Sequence, residues 1–188
     1  MVMLKCKEEL ERHGVDVIVN RTTDVEISLA DKVSKANESD AEIAVSFHSN
    51  AGGGDGFEVY YYSSSVNGKK LAGLCEKYVK QLGQNSRGLK SGDHLYFINN
   101  TAMPAVLVES YFLDHQIDVQ IGNTKAKQEV FGVAYAKAIL EYLGIAWKEP
   151  ESGVLYKVQV GAFAVRSNAE ALKRELEAKG YGAFIKEE

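Results

Sequence analysis

The most restrictive feature of this sequence is an unbroken apolar run, Ala105–Val108, which a carboxylate residue, Glu109, follows directly. A strand that is apolar at every position has both faces covered, whereas a strand with one solvent-exposed face alternates apolar and polar residues. We therefore predict a buried strand over residues 105–108 that ends at Glu109. The run indicates a sheet with helices on both of its faces.

The rest of the chain up to about residue 145 alternates short β-rich runs with apolar residues at helical spacing. This alternation is typical of an α/β fold, and we predict a mixed, mostly parallel sheet. The other predicted strands lie at 15–19, 43–47, 57–62 and 94–98, and the predicted helices lie at 3–13, 29–37, 67–84 and 128–143. Residues 52–56 and 85–93 are predicted loops.

The C-terminal part of the chain forms a separate predicted unit. It contains a predicted strand at 154–160, an amphipathic helix at 167–179 and the start of another strand at 182–185. A β-α-β unit of this size is too short to be a stable domain alone. We predict a larger domain over residues 1–145, a linker over residues 146–153 that includes Pro150, and the smaller unit over residues 154–188.

Composition and charge exclude several classes of function. The net charge of the 188-residue chain is −4, whereas a dedicated nucleic-acid-binding protein is usually basic. No apolar run approaches the ~20 residues of a membrane-spanning helix, and no signal-peptide pattern is visible. We therefore expect neither nucleic acid nor a membrane as a partner. The lysines within residues 69–80 are interpreted as a solvated helix face, with a patch for an anionic polymer as the alternative.

His48 lies near the end of a predicted strand and before the glycine-rich loop 52–56. A histidine in this position can bind a metal ion or act as a base, and the alternative is a surface histidine that caps the strand. The loop lacks the lysine of a phosphate-binding loop and precedes a strand rather than a helix. We interpret it as a mobile lid or a substrate-approach loop.

Glu109 is the second candidate for chemistry. A carboxylate that follows four apolar residues is costly to bury without a partner. One interpretation is a general base whose pKa is raised by its surroundings. The alternative is an ion pair with Arg21, Arg87 or Lys90.

Four segments, in this order along the chain, resemble motifs of zinc-dependent N-acetylmuramoyl-L-alanine amidases. They are Asn20–Asn37, Val45–Ala51 (VSFHSNA), Arg87–Lys90 (RGLK) and Met103–Asp114 (MPAVLVESYFLD). The second segment is similar to the metal-histidine motif of the family, and the fourth is similar to its catalytic-glutamate motif. The resemblance covers residues 1 to about 145.

The resemblance implies a peptidoglycan hydrolase that cleaves the amide between N-acetylmuramic acid and the L-alanine of the stem peptide. It implies that His48 is a zinc ligand, and that Glu109 deprotonates the zinc-bound water and then protonates the leaving amine. It also implies that Asn50, Arg87 and Lys90 contact the substrate. Zinc suits this chemistry because it lowers the pKa of bound water to about 7 and polarises the amide carbonyl.

Two zinc ligands of the family have no counterpart in this sequence. The family's first histidine lies in an Asp-Pro-Gly-His-Gly stretch and its glutamate opens the first helix, and neither motif is present. A catalytic zinc needs three protein ligands. We therefore expect the chain to be a fragment that lacks the first strand and the start of the first helix of the amidase domain. The alternative is a degenerate amidase.

Residues 156–170 and 176–181 resemble the first half of the sporulation-related (SPOR) repeat, a family that binds glycan strands stripped of stem peptides. This resemblance places the protein at the bacterial cell wall or outside the cell. The leading hypothesis is a peptidoglycan amidase with a wall-binding tail. The alternatives are a non-catalytic peptidoglycan-binding protein or inactive fragment, and a zinc carboxypeptidase-like peptidase.

Overall fold

The computed structural model describes residues 1–150 and 159–187 of the chain. The chain divides into two compact units, Met1–Lys148 and Glu149–Glu188. The helices of the first unit are α1 (Val2–Arg12), α2 (Leu29–Asn37), α3 (Val66–Lys80), α4 (Tyr96–Asn100) and α5 (Lys125–Leu143), with a short 3-10 helix at Asp118–Ile121. Its strands are β1 (Ala44–Asn50), β2 (Phe57–Tyr61), β3 (Ser86–Ser91) and β4 (Ala105–Phe112). The second unit contains α6 (Arg166–Ala178).

The four strands form one open sheet in the order β1-β4-β2-β3. β1 runs parallel to β4, and β2 runs parallel to β3, whereas β2 and β4 are antiparallel. Two of these three pairings are parallel, so the predicted mixed, mostly parallel sheet is confirmed. β4 pairs with a strand on each side, and its backbone is therefore hydrogen-bonded along both edges.

Side chains of β4 alternate between two apolar clusters, one on each face of the sheet. Val106 and Val108 lie in the larger cluster, to which α1, α3 and α5 contribute. Ala105 and Leu107 lie in a smaller cluster with residues of α2 and α4. The predicted helices on both faces are confirmed, and the apolar run is continuous because both faces of β4 are covered.

The helix ends follow from local sequence. The side chains of Ser28, Ser65 and Thr124 cap α2, α3 and α5 by accepting a hydrogen bond from a backbone N–H in the first turn. Gly144 ends α5 in the left-handed conformation, which glycine adopts without steric cost. The helices predicted in the first unit are confirmed, although α5 begins three residues earlier and α3 ends four residues earlier than predicted.

The predicted strand at residues 15–19 is wrong. Val15 and Val17 pack against the larger apolar cluster, which explains the β-rich pattern. The segment nevertheless has no strand assignment, and β1 is the outermost strand on that side of the sheet. The apolar pattern therefore predicts which side chains are buried, but it does not show whether the segment hydrogen-bonds to a neighbouring strand.

The interpretation of residues 85–98 is also wrong, because loop and strand are misplaced there. Residues 86–91 form β3, in which polar side chains are tolerated because the strand lies at the sheet edge and β2 supplies its backbone partners. Residues 96–100 form α4 rather than continuing a strand. Phe97 and Ile98 are buried in the smaller apolar cluster, so these apolar residues are covered in a helix rather than in the predicted strand.

Glu109 does not end its strand. β4 continues to Phe112, because its pairing with β1 and β2 extends beyond Ala105–Val108. His48 likewise lies two residues before the end of β1. Both candidate residues therefore sit within paired strands, where the backbone holds them more firmly than a loop would.

In the second unit, the helix predicted at 167–179 is confirmed by α6, on which no residue is buried. Residues 182–185 do not form the predicted strand, and the side chain of Phe184 is 79% exposed. The strand predicted at 154–160 lies largely outside the described residues. Among the helices that the structure describes, none combines the length and the apolarity required to cross a membrane.

The packing of α1 on α5 leaves no room for a methyl group at Gly132. A Cβ atom built there would lie 2.6 Å from the carbonyl oxygen of Val2 and 2.7 Å from the Cβ atom of Lys5. We expect Gly132→Ala to lower the free energy of unfolding by about 1–3 kcal/mol, because α1 has to shift.

Gly73 in α3 is the matched control, since a Cβ atom there meets nothing within 4 Å. Gly73→Ala should raise the free energy of unfolding by about 0.5–1 kcal/mol, because alanine favours a helix over glycine. Urea denaturation measures both changes. Equal effects at the two positions would contradict the close approach of α1 and α5.

Candidate active site

Three titratable side chains form a row across the sheet. In β1, His48 is in register with Glu109 of β4, and in β2, Glu58 is in register with the same Glu109. Residues in register share a face, and this face is the one on which Leu107 meets α2 and α4. The structure therefore brings the two predicted residues, His48 and Glu109, together, and adds Glu58 beside them.

Glu109 has an intermediate exposure, and its Oε2 atom is buried without a hydrogen-bond partner among the described residues. Desolvation, followed by the negative charge of Glu58, raises the pKa of Glu109 to about 7. The alternative interpretation was an ion pair with Arg21, Arg87 or Lys90. The structure instead pairs Arg87 and Lys90 with Glu58, and Arg21 with Asp24.

Glu58 is a functional candidate that the sequence analysis missed. Its carboxylate is 3% exposed and accepts four hydrogen bonds. The donors are Arg87 Nε at 2.5 Å, Lys90 Nζ at 2.6 Å, the Tyr60 hydroxyl at 2.7 Å and Asn50 Nδ2 at 3.2 Å. The three residues predicted to contact the substrate, Asn50, Arg87 and Lys90, therefore converge on one buried carboxylate.

The electrostatic state of Glu58 is opposite to that of Glu109. Burial alone would raise the pKa of Glu58, but the hydrogen bonds from Lys90, Tyr60 and Arg87 outweigh burial and lower its pKa to about 2. Glu58 is thus ionised throughout the physiological range. One signal for it exists in the sequence: in Phe57–Tyr61 (FEVYY), it is the single charged residue of an otherwise apolar and aromatic strand.

His48 is exposed, and its Nε2 atom lies 2.9 Å from the Ser46 hydroxyl. Partial desolvation by the surrounding chain, together with the positive charges of Lys32 and Arg21, lowers the pKa of His48. The imidazole is therefore held in its neutral form near neutral pH. Neutral imidazole is the form that binds a metal ion or accepts a proton.

The glycine-rich loop 52–56 is anchored rather than free. The Oδ2 atom of Asp114 accepts hydrogen bonds from the backbone N–H groups of Gly52 (2.7 Å) and Gly53 (2.9 Å). Asp118, which is buried, accepts hydrogen bonds from Gly56 N (2.9 Å) and Phe112 N (2.6 Å). The loop connects β1 to β2, so this network makes it a fixed border of the row.

Across residues 1–150 and 159–187, no group of three or more His, Cys, Asp or Glu side chains is arranged to hold a metal ion. The acidic residues of α1 are committed elsewhere, since Glu9 pairs with Lys5 and Arg12 and Glu8 pairs with Lys5. Both ring nitrogens of His13 are hydrogen-bonded, one to Glu9 O and one to Lys148 N. The described residues therefore do not fit a complete catalytic zinc site, and the role of His48 as a zinc ligand stays a prediction.

A carboxyl group whose pKa is raised to about 7, beside a histidine whose pKa is lowered, makes this row a candidate site for general acid–base chemistry. Comparison with known families specifies the class further. The model of the Amidase_3 family, N-acetylmuramoyl-L-alanine amidase, matches residues 1–141, and the chain belongs to this family. The family is generally zinc-dependent. The model of the SPOR domain matches residues 136–188.

Individual relatives agree with this assignment. The chain is 33% identical over 180 residues to the N-acetylmuramoyl-L-alanine amidase CwlM of Bacillus licheniformis, covering 93% of this chain and 68% of the relative. It is 36% identical over 156 residues to an endolysin of Bacillus phage SPP1, covering 78% of this chain and 57% of that protein.

A solved structure shares the fold as well. The catalytic domain of CwlV, an N-acetylmuramoyl-L-alanine amidase from Bacillus (Paenibacillus) polymyxa, superposes with a TM-score of 0.71 at 29% identity. The match covers 77% of this chain and 82% of that domain. The predicted fold class, family and enzyme class are thereby confirmed.

The raised pKa of Glu109 predicts a pH-dependent stability. Because its pKa is about 7 in the folded protein and 4.5 ordinarily, the folded state binds more protons than the unfolded chain between these values. The free energy of unfolding therefore falls as the pH rises through this range. We expect Glu109→Gln to remove a fall of about 1–2 kcal/mol, a size reduced by the partial exposure of this carboxyl, as measured by urea denaturation at about pH 5 and about pH 8.

Glu129→Gln is the control for this experiment. Glu129 lies on α5 in a loose ion pair with Lys125, and its side chain is 37% exposed. This variant should keep the pH dependence of the parent protein. If Glu109→Gln keeps it too, the buried carboxyl of Glu109 is not its source.

The incomplete ligand set predicts weak zinc binding by the 188-residue chain. Because His48 is the one predicted ligand among the described residues, we expect less than about 0.1 zinc per chain after mild chelation, re-addition of zinc and gel filtration. Elemental analysis measures the stoichiometry. A ratio near one, unchanged in His48→Ala, would show that other residues hold the metal.

Proposed function

We propose that this chain carries the proton-transfer and substrate-contacting groups of an N-acetylmuramoyl-L-alanine amidase that acts on the peptidoglycan of the bacterial cell wall. The observation that carries the proposal is the position of Glu109. Its carboxyl group lies between His48 and Glu58 with one buried, unpartnered oxygen and a pKa near 7. A group poised near the working pH is an efficient general acid–base.

Glu109 moves a proton in both halves of amide hydrolysis. As a carboxylate, it accepts a proton from the water whose oxygen bonds to the amide carbon. As a carboxylic acid, it gives that proton to the nitrogen of L-alanine as the carbon–nitrogen bond breaks. The unpartnered Oε2 atom is the free acceptor that the first step requires.

The other predicted residues have supporting roles in this proposal. Asn50, Arg87 and Lys90 contact the glycan or the stem peptide beside Glu109. His48 would be one ligand of a zinc ion that polarises the amide carbonyl, and the described residues offer no complete ligand set around it. The SPOR unit of residues 154–188 binds glycan strands and keeps the amidase unit at the wall.

A second candidate function is a non-catalytic peptidoglycan-binding protein. The observation that favours it is the ligand count, because the described residues supply one of the three ligands that a catalytic zinc site needs. In this case the surface beside Glu109 binds peptidoglycan without cleaving it. The two candidates differ in whether new amino groups appear.

The amidase proposal is tested on purified peptidoglycan with zinc in excess. If the chain completes its metal site under these conditions, it should release peptides that begin with L-alanine, and Glu109→Gln should lower the rate at least about 100-fold because the proton carrier is lost. Mass spectrometry identifies the new amino termini. Glu129→Gln, at a half-buried position of α5 outside the row, should cleave at the parent rate.

Two outcomes would overturn the proposal in different ways. Cleavage that is equal in the parent protein and in Glu109→Gln would remove Glu109 from the mechanism. Co-sedimentation with peptidoglycan without any release of peptides would establish the non-catalytic candidate.

A further inference from the structure

We propose that Glu58 is a positioning residue of this site, whose buried carboxylate holds Arg87, Lys90 and Asn50 in the arrangement in which they meet the substrate beside Glu109. The identity of the substrate rests on the proposed function. The arrangement itself rests on the contacts between the described residues.

The hydrogen-bonding capacity of Glu58 is fully used within the protein. Oε1 accepts from Arg87 Nε and Lys90 Nζ, and Oε2 accepts from the Tyr60 hydroxyl and Asn50 Nδ2. A carboxylate has about four acceptor positions, so none is left for a substrate group. Glu58 therefore acts through its partners and is not itself a catalytic residue.

The partners need such an anchor. The side chains of Arg87 and Lys90 are 38% and 34% exposed, and long cationic side chains at this exposure lose rotamer freedom when they are fixed. Hydrogen bonds to a charged, desolvated acceptor are strong enough to offset that loss. Arg87 also lies over the Phe112 ring, at 5.3 Å from the ring centroid, so the cluster reaches the end of β4.

The placement of Glu58 argues against a purely structural role. Burying an ion pair gives little stability compared with apolar residues of similar volume, so stability alone does not explain a charge there. The register also puts Glu58 next to Glu109 rather than elsewhere on β2. The cations are therefore held at the one point of the sheet where a proton-transfer group lies.

The chain contains a matched control for this cluster. Glu141 accepts hydrogen bonds from Lys77 Nζ at 2.6 Å and from the Tyr78 hydroxyl at 2.7 Å, which are the same donor types that Glu58 takes from Lys90 and Tyr60. Glu141 is exposed and lies on α5, outside the row of His48, Glu109 and Glu58. Glu141→Gln thus removes a charged acceptor with the same donor types, at a position without a proposed function.

The test measures binding, not cleavage. Isothermal titration calorimetry with a soluble muropeptide that retains the N-acetylmuramoyl–L-alanine amide gives the dissociation constant. We expect Glu58→Gln to raise it at least about tenfold, because the charged anchor is lost, and Glu141→Gln to change it less than about twofold. Glu58→Gln should add less than about twofold when Arg87→Gln and Lys90→Gln are already present, since it acts through those residues.

The proposal is overturned if Glu58→Gln binds the muropeptide like the parent protein, or if its effect is undiminished in the background that lacks both cations. A second measurement does not depend on any variant folding. The Arg87 Hε proton of the parent protein should be protected from solvent exchange in NMR spectra, and exchange as fast as in free arginine would overturn the proposal. Loss of binding in a protein that cleaves nothing would leave this inference intact and reject the amidase activity instead.

Discussion

The pairing of β4 with a strand on each side is the constraint on which the site depends. Because β1 and β2 both hydrogen-bond to β4, the register fixes His48, Glu109 and Glu58 at the same height across the sheet. The sheet in turn is fixed by the side chains of β4 that enter an apolar cluster on each face. Burial of a short apolar run therefore positions three polar groups that contribute nothing to the core.

The two carboxylates of this row show how neighbouring groups acquire different protonation states. Glu58 is the more buried, yet four donors keep it ionised and its pKa about 2. Glu109 has no such donors, so desolvation and the fixed charge of Glu58 raise its pKa to about 7. Because their environments shift the two pKa values in opposite directions, Glu58 carries a permanent charge, whereas Glu109 can exchange protons. The hydrogen bonds of Glu58 are thus part of what sets the chemistry at Glu109.

The sequence contained enough information for the covered sheet and for the two residues at its centre. A run without alternation identified β4, and the positions of His48 and Glu109 near strand ends singled them out. Contacts between distant segments were not readable in the same way. The one local signal for Glu58, a single charge in an apolar and aromatic strand, does not reveal its partners, because Arg87 and Lys90 come from another strand. The polar strand β3 was likewise predicted as a loop, because backbone hydrogen bonds to β2 rather than its own side chains stabilise it.

The polar side chains of α1 form hydrogen bonds and ion pairs within the protein that stabilise the fold. Glu9 is held between Lys5 and Arg12, and the ring of His13 links Glu9 O to Lys148 N while stacking on Trp147 at 4.8 Å. These contacts fasten α1 to the end of the first unit. The larger apolar cluster likewise consists of residues other than His48. The row of His48, Glu109 and Glu58 is therefore assembled by strand pairing and core packing.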